Sequence, residues 1–334
     1  MIVIMKKGSD SSKVIAYAKT LGARVKIEKL EDADIVEIVG GESAPDVGNL
    51  RAFEGVKDVV KFDEGCKLCT ANDVKGEFDV GEVHIGGNSF CFIAGPCAVE
   101  NEKQIISVAT SLKKAGADIL RGGAFKPRTS PYSFQGLGEE GLRLLKKAKA
   151  ETGLPIVSEI VDAEHLDAFD GVDIIQVGAR NMQNFELLKR LGKISTPILL
   201  KRGFGATIEE WLSSAEYILA NGNKNVILCE RGVRTFDNVL RNSVDFGVLP
   251  VLKEKTNLPV IVDPSHASGA ARFVKPLSLA AAAAGADGLM IEVHLNPEAA
   301  LSDGAQSMCV DEFKDLMATT EKILPAVGKI RGRK

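Results

Sequence analysis

The chain has 334 residues with a formal net charge of −3, 45% apolar residues and 26% charged residues. This balance excludes a disordered chain, and an aromatic content of 5% with no basic excess argues against a general nucleic-acid binder. The length exceeds one ordinary domain and suits a barrel of about 250 residues with a small partner.

At the N-terminal end MIVIM and ARVKI read as strands, SSKVIAYAKTL as a helix, DIVEIVG as a strand, VGNLRAFEG as a short helix and VKDVVKF as a strand. The order β-α-β-β-α-β predicts a ferredoxin-like α+β unit over 1–62, acting as a regulatory domain or as a cover or assembly element. No signal-peptide core and no run of eighteen apolar residues occurs, so a cytoplasmic protein with no membrane contact is expected. Residues 63–89 are glycine-rich without a sustained period and read as a linker leading into the next domain. Cys66 and Cys69 form a C-x₂-C pair that supplies only half of a Cys₄ zinc site, and the six cysteines of a chain this long are expected to stay reduced.

Over 90–334 short apolar strands alternate with helix-length segments. FCFIAG, ADILRGG, PIVSEI, VDIIQVG, PILLKRG, NVILCERG, LPVIVDP and DGLMIEVH are the strands, and the sixth repeat is the least regular because of Pro250 and DNVLRNSVD. Eight strand-to-helix passages predict an α/β fold of the (β/α)₈ TIM-barrel class. In such a barrel all strand C-termini surround one mouth, where Cys97, Arg121, Glu159, Gln176, Lys201, Glu230, Arg231, Asp263, Glu292 and His294 would gather.

Two chemistries follow from that gathering. A thiol, an imidazole and two carboxylates, from Cys97, His266, Glu292 and Asp303, are donors for Mn²⁺, Fe²⁺ or Zn²⁺. The same residues could instead be a buried thiol in a tight turn and a loop-capping imidazole, and His294 is a rival ligand or a support for one. Arg121, Lys126, Arg128, Arg180, Lys201, Arg202, Arg231 and Arg234 all lie at or just past strand ends, a concentration of cations that calls for phosphate-bearing anions. The loop GGAFKPRTSPYSFQG adds Thr129 and Ser130 as donors, although a solvated basic loop would look the same, and Lys201 could alternatively form a Schiff base.

The motifs AGPCAVE, LRGGAFKPRTSPYSFQG, QVGARN, LLKRG, ERGVRTF, VDPSHASG and EVH followed by LSDGAQS resemble, in unbroken order, the 3-deoxy-D-arabino-heptulosonate 7-phosphate (DAHP) synthase family. The N-terminal unit is similar to the ferredoxin-like extension of one branch. The resemblance implies condensation of phosphoenolpyruvate with erythrose 4-phosphate at the head of the shikimate route. It implies metal ligation by Cys97, His266, Glu292 and Asp303, with Mn²⁺ foremost and Fe²⁺, Zn²⁺ or Co²⁺ as alternatives. It implies phosphoenolpyruvate binding by Arg121, Lys126, Arg180, Lys201, Arg231 and the Gly178-Ala179 backbone, an aldose-phosphate clamp of Arg128 and Thr129, and Lys126 as proton donor. The related eight-carbon synthase, which uses arabinose 5-phosphate, typically carries KANR where this chain has KPRT. A homotetramer or homodimer and a tyrosine or phenylalanine effector are further expectations from the resemblance.

Overall fold

The computed structural model describes residues 1–30, 32–41, 45–60, 66–70 and 74–333. The chain divides into two compact units, Met1–Lys67 and Leu68–Lys334. The expected boundary at Phe62, and residues 63–65 and 71–73 of the expected linker, lie outside the described residues.

The first unit runs β1 (Ile2–Lys6), α1 (Ser12–Thr20), β2 (Arg24–Lys29), β3 (Ala33–Val39), α2 (Val47–Arg51) and β4 (Val56–Val60). Its antiparallel sheet has the order β2-β3-β1-β4, that of a ferredoxin-like split β-α-β unit. Alternation along β3 turns Asp34, Val36 and Ile38 inward, and Val3, Met5, Val14, Ala18, Leu50 and Val59 complete a core under the two helices.

The second unit opens with a hairpin of β5 (Phe78–Val80) and β6 (Val83–Ile85). Then come β7 (Ser89–Gly95), α3 (Glu102–Ala115), β8 (Ile119–Arg121), α4 (Glu139–Thr152), β9 (Ile156–Ile160), a 3₁₀ helix Ala163–Phe169, and β10 (Ile174–Val177). The chain continues through α5 (Phe185–Leu191), β11 (Ile198–Lys201), α6 (Ile208–Ala220), β12 (Val226–Glu230), α7 (Val248–Lys255) and β13 (Val260–Val262). It ends with α8 (Pro264–Ser268), α9 (Ala271–Ala283), β14 (Gly288–Glu292), α10 (Val310–Glu321) and β15 (Ile330–Arg331). Strands β7 to β14 pair in sequence order, and parallel pairing of β14 with β7 closes the ring. Ile93, Ile119, Val157, Ile174, Leu199, Ile227, Ile261 and Met290 fill its interior, and the hairpin's Val80, Val83 and Ile85 pack onto the same cluster. The glycine-rich stretch therefore contributes a plug to the barrel core. No helix among the described residues is long and apolar enough to cross a membrane.

One sequence pattern recurs at the foot of the ring. Asp118, Asp173 and Asp287 each immediately precede a strand, and each accepts the backbone N–H of a neighbouring strand, from Phe92, Ile156 and Val260 at 2.8, 2.8 and 2.7 Å. Each carboxylate also meets a cation: Arg331, Lys149, and the pair Lys253 and Lys329 respectively. Asp287 is fully buried, so removing its carboxylate leaves the Val260 N–H without its partner and Lys329 with the Gly87 carbonyl but without this counter-charge. Asp287→Ala is expected to lower barrel stability by about 3–5 kcal/mol in urea unfolding; a loss under about 1 kcal/mol would contradict this clasp.

Candidate active site

Four elements bring four donors together above the barrel core. β7 runs into the turn carrying Cys97, β14 ends on Glu292, α8 presents His266, and the loop after β14 returns Asp303. The sulfur of Cys97 and one oxygen each from Glu292 and Asp303 lie within 4.8 Å of one another, with Sγ 3.2 Å from Asp303 Oδ2. His266 approaches from the Glu292 side, its Nε2 3.4 Å from Oε1.

Local sequence explains how His266 is held. Asp263 caps α8, accepting the His266 backbone N–H at 2.9 Å, Pro264 starts the helix, and Gly269 at φ +71° ends it. Asp263 Oδ2 is also 2.7 Å from His266 Nδ1. Burial would raise the Asp263 carboxyl, but His266 and Lys201 outweigh it and hold it well below its ordinary range. Burial lowers the His266 imidazole, overcoming the opposing pull of Asp263 and Glu292. In its neutral form the ring keeps its proton on Nδ1 against Asp263, which turns the Nε2 lone pair toward the Glu292 oxygen. Burial would raise the Glu292 carboxyl too, yet His266, Arg121 and Lys126 hold it far below the usual range. A lone pair facing a buried carboxylate is unfavourable unless a cation lies between them, and the donors suit a divalent ion of borderline softness. The Cys97 thiol is pushed up to about 12 by burial, reinforced by Glu292 and opposed by Lys126, so such an ion must displace its proton.

Above these donors is a cavity of about 240 Å³. Its wall carries six cations, Lys126, Arg128, Arg180, Lys201, Arg231 and Arg241, against two carboxylates, Glu159 and Asp303. That excess is a receptor for anions. Thr129, the Gly178-Ala179 backbone and His266 complete the expected contacts that line it. Gly178 lies close against Glu159: a Cβ there would stand 2.0 Å from Oε1, so a larger residue would have to push that carboxylate aside. Lys126 reaches inward, its Nζ 3.0 Å from Cys97 Sγ and 3.0 Å from the Cys97 carbonyl oxygen. Burial would lower its ammonium, but Cys97 and Glu292 raise it instead.

Some expected residues stand elsewhere. Arg121 lies beneath the cavity wall with its guanidinium on the Glu292 carboxylate, supporting a donor rather than facing the space above. Lys201 Nζ is 2.5 Å from Asp263 Oδ2, so a Schiff base would have to break a buried ion pair. Arg202 pairs with Glu230 and Asp245 at 2.9 and 3.1 Å and stays out of the wall. His294 turns away, bonding Asn296 and standing 3.5 Å from Glu100. Among the described residues Cys66 and Cys69 belong to no group of three metal donors.

Three residues escaped the sequence reading. Phe204 lies under the guanidinium groups of Arg180, Arg231 and Arg234, 5.4, 4.8 and 4.7 Å from its ring centroid. Arg241 comes from the irregular sixth repeat, and Gln306 follows Asp303 in LSDGAQS. Phe204 directly follows the strand-end triplet Lys201-Arg202-Gly203, which was its one available signal.

The DAHP synthetase I family matches residues 65–326. The chain belongs to this family. It is 43% identical to phospho-2-dehydro-3-deoxyheptonate aldolase of Thermotoga maritima, over 98% of this chain and 99% of that one. The crystal structure of that organism's DAHP synthase superposes with a TM-score of 0.80 at 42% identity, covering 98% of both chains. The 2-dehydro-3-deoxyphosphooctonate aldolase of Syntrophotalea carbinolica is 35% identical over 70% of this chain and 91% of that one. The DAHP synthetase family is generally metal-dependent, and in this member Cys97, Glu292 and Asp303, with His266 beside them, are the donors that fit an ion.

The Cys97 thiol, pushed up to about 12, is the donor whose proton an ion must displace near neutral pH. Affinity for Mn²⁺ or Co²⁺ should rise about tenfold per pH unit from 7 to 9, as the ion displaces one thiol proton. Titration calorimetry in buffers of different ionisation enthalpy should count that proton in the native protein and lose it in Cys97→Ala. His266→Ala should fold and weaken metal binding while retaining the proton release. Native affinity in both variants would remove these residues from the metal site.

Proposed function

We propose that this DAHP synthetase family member catalyses the reaction of 3-deoxy-7-phosphoheptulonate synthase, a transferase at the first step of the shikimate pathway. C3 of phosphoenolpyruvate attacks the aldehyde carbon of erythrose 4-phosphate, forming the carbon–carbon bond and leaving cationic character at C2. Water adds at C2, and cleavage of the C2–O bond releases inorganic phosphate and leaves the ketone. The observation that carries this reading is the six-cation wall standing over the Cys97 thiol and the Glu292 and Asp303 carboxylates, with the half-buried His266 imidazole beside them.

Two polyanions repel each other, and the wall's cations offset that repulsion while fixing their mutual orientation. Arg180, Lys201, Arg231 and the Gly178-Ala179 backbone are assigned to phosphoenolpyruvate, with Arg128 and Thr129 assigned to the aldose phosphate. Arg121 acts through Glu292, which its guanidinium holds. Lys126, an ammonium 3.0 Å from Cys97 Sγ, is assigned as proton donor to the oxygen of the attacked aldehyde. Cys97, His266, Glu292 and Asp303 would hold the metal, with Mn²⁺ proposed over Fe²⁺, Zn²⁺ or Co²⁺; when bound, it supplies Lewis-acid polarisation of a carbonyl oxygen.

The five-carbon aldose is the competing substrate, because relatives named 2-dehydro-3-deoxyphosphooctonate aldolase share the barrel. The near full-length match to the Thermotoga maritima heptonate enzyme and the KPRT loop favour the four-carbon aldose. With Arg128 and Thr129 fixing the phosphate, one extra carbon displaces the aldehyde. Erythrose 4-phosphate should exceed arabinose 5-phosphate in kcat/KM by about a hundredfold or more. Phosphate release with each aldose measures this, and a preference for arabinose 5-phosphate would reverse the assignment.

We also propose that residues 1–62 form a regulatory domain in a cytoplasmic homotetramer or homodimer, with tyrosine or phenylalanine as effector. Every wall residue and donor lies beyond Phe90, which supports a role for this unit outside the chemistry. A truncation should begin before Leu68, because the Leu68 and Cys69 N–H groups donate to the Glu216 carboxylate within the barrel unit. The shortened enzyme is expected to keep its turnover and lose inhibition by the aromatic amino acid. Inhibition unchanged in the shortened enzyme would exclude the effector role.

A further inference from the structure

Glu292 is fully buried, and both of its oxygens are engaged. Oε1 receives the Arg121 guanidinium and faces His266 Nε2 at 3.4 Å. Oε2 accepts the side-chain amide of Gln306 at 2.6 Å. Gln306 is itself buried, at 2% exposure. Its amide oxygen accepts Arg241 Nη1 at 3.0 Å, and Arg241 also stands 3.7 Å from Asp303 Oδ1 in the cavity wall.

These contacts fix the amide's orientation. Turning it over would set its oxygen against the Glu292 carboxylate and its NH₂ against a guanidinium, reversing two favourable contacts into two repulsive ones. An Arg241-Gln306-Glu292 chain thus runs from the anion cavity to the donor group.

We propose that Gln306 is a positioning residue for the metal centre: with Arg241 setting its amide, it fixes the rotation of the Glu292 carboxylate so that an oxygen faces Cys97 and Asp303. Neither Gln306 nor Arg241 supplies a ligand atom in this role. A carboxylate without that second bond can rotate about its Cγ–Cδ bond, and the donor group loses its preorganisation. Loss of such a supporting hydrogen bond weakens metal affinity by about 10- to 100-fold in comparable sites. The proposal rests on the reading of Cys97, His266, Glu292 and Asp303 as metal ligands.

The test is Co²⁺ binding to the full-length protein without substrates, followed by competition against a chromogenic chelator and by the thiolate-to-cobalt charge-transfer band and ligand-field spectrum. Gln306→Leu keeps the bulk and removes both hydrogen bonds. It is expected to lose about 10- to 100-fold in affinity with an altered ligand-field spectrum, while the charge-transfer band from Cys97 persists at saturation. Arg241→Ala, a change at a half-exposed side chain, separates the role from folding. It should weaken binding by a smaller factor than Gln306→Leu, because the amide keeps its bond to Glu292 but loses its fixed orientation. Native affinity and spectrum in folded Gln306→Leu would overturn the proposal; if that variant does not fold, native affinity and spectrum in Arg241→Ala would do so. Absence of cobalt binding, with no charge-transfer band, in the unsubstituted protein would instead overturn the metal-site reading on which the proposal stands.

Discussion

Parallel pairing of β14 with β7 sets Glu292 opposite Gly95, and the rest of the site depends on that register. Cys97 follows two residues beyond Gly95, so closing the ring brings a thiol and a carboxylate from opposite ends of the barrel sequence to one place. A slip of one residue would turn Glu292 away from its present face, because strand side chains alternate. The register is protected at the other end of the same strands, where Gly288 faces Cys91. A Cβ on Gly288 would lie 2.6 Å from the Cys91 carbonyl oxygen, so a larger residue could not keep this approach. Asp287 adds a buried carboxylate that accepts from β13 and meets two lysines. The foot of the barrel thereby maintains the alignment on which its mouth relies.

Charge is sorted by depth. Arg121 with Glu292, Lys201 with Asp263 and Arg202 with Glu230 are buried pairs in which neither member could lose its partner cheaply. Nearer the cavity, Arg180 and Arg231 rest over Phe204, whose ring offers a weak cation site without neutralising them. The Arg121 and Arg202 pairs orient a donor and a strand end, Lys201 lines the cavity while paired with Asp263, and the upper cations retain attraction for anions. Arg121 and Arg202 belong to the first class although their residue type and position at strand ends suggested the second.

The eight passages were legible because each strand is a short aliphatic run followed by a distinct helical segment. Strand ends then identified Lys201, Arg231, Asp263 and Glu292 as neighbours despite their separation in sequence. What a side chain faces was harder to read. Arg121 and Lys201 each end a strand, yet their guanidinium and ammonium groups go to buried carboxylates, and only the three-dimensional pairing reveals those partners. The hairpin Phe78–Ile85 was hidden by surrounding glycines, which resemble a linker in composition but provide tight turns; a Cβ on Gly86 would meet the Gly76 carbonyl oxygen at 2.1 Å. Gln306 was missed because an amide has no charge or ligand chemistry to distinguish it. Its role comes from the carboxylate beside it.

The mouth also divides into fixed and adaptable parts. Glu292, Lys201 and Arg121 end strands of a closed sheet, where neighbours hold the backbone on both sides. Arg128, Thr129, Arg241 and Asp303 come from loops. Asp303 has φ +49°, the sole positive φ at a non-glycine among the described residues, and occupies a conformation that costs most side chains free energy. Its carbonyl accepts from the Ser307 hydroxyl at 3.2 Å, while its carboxylate meets Cys97 and the two loop arginines. Bonding on both sides can hold that backbone in place, with the positive φ falling at a donor that must bridge from a long loop. A barrel strand supplies a rigid direction but cannot reach across the mouth; the loop residue reaches, and its conformation is fixed by the charges it meets there.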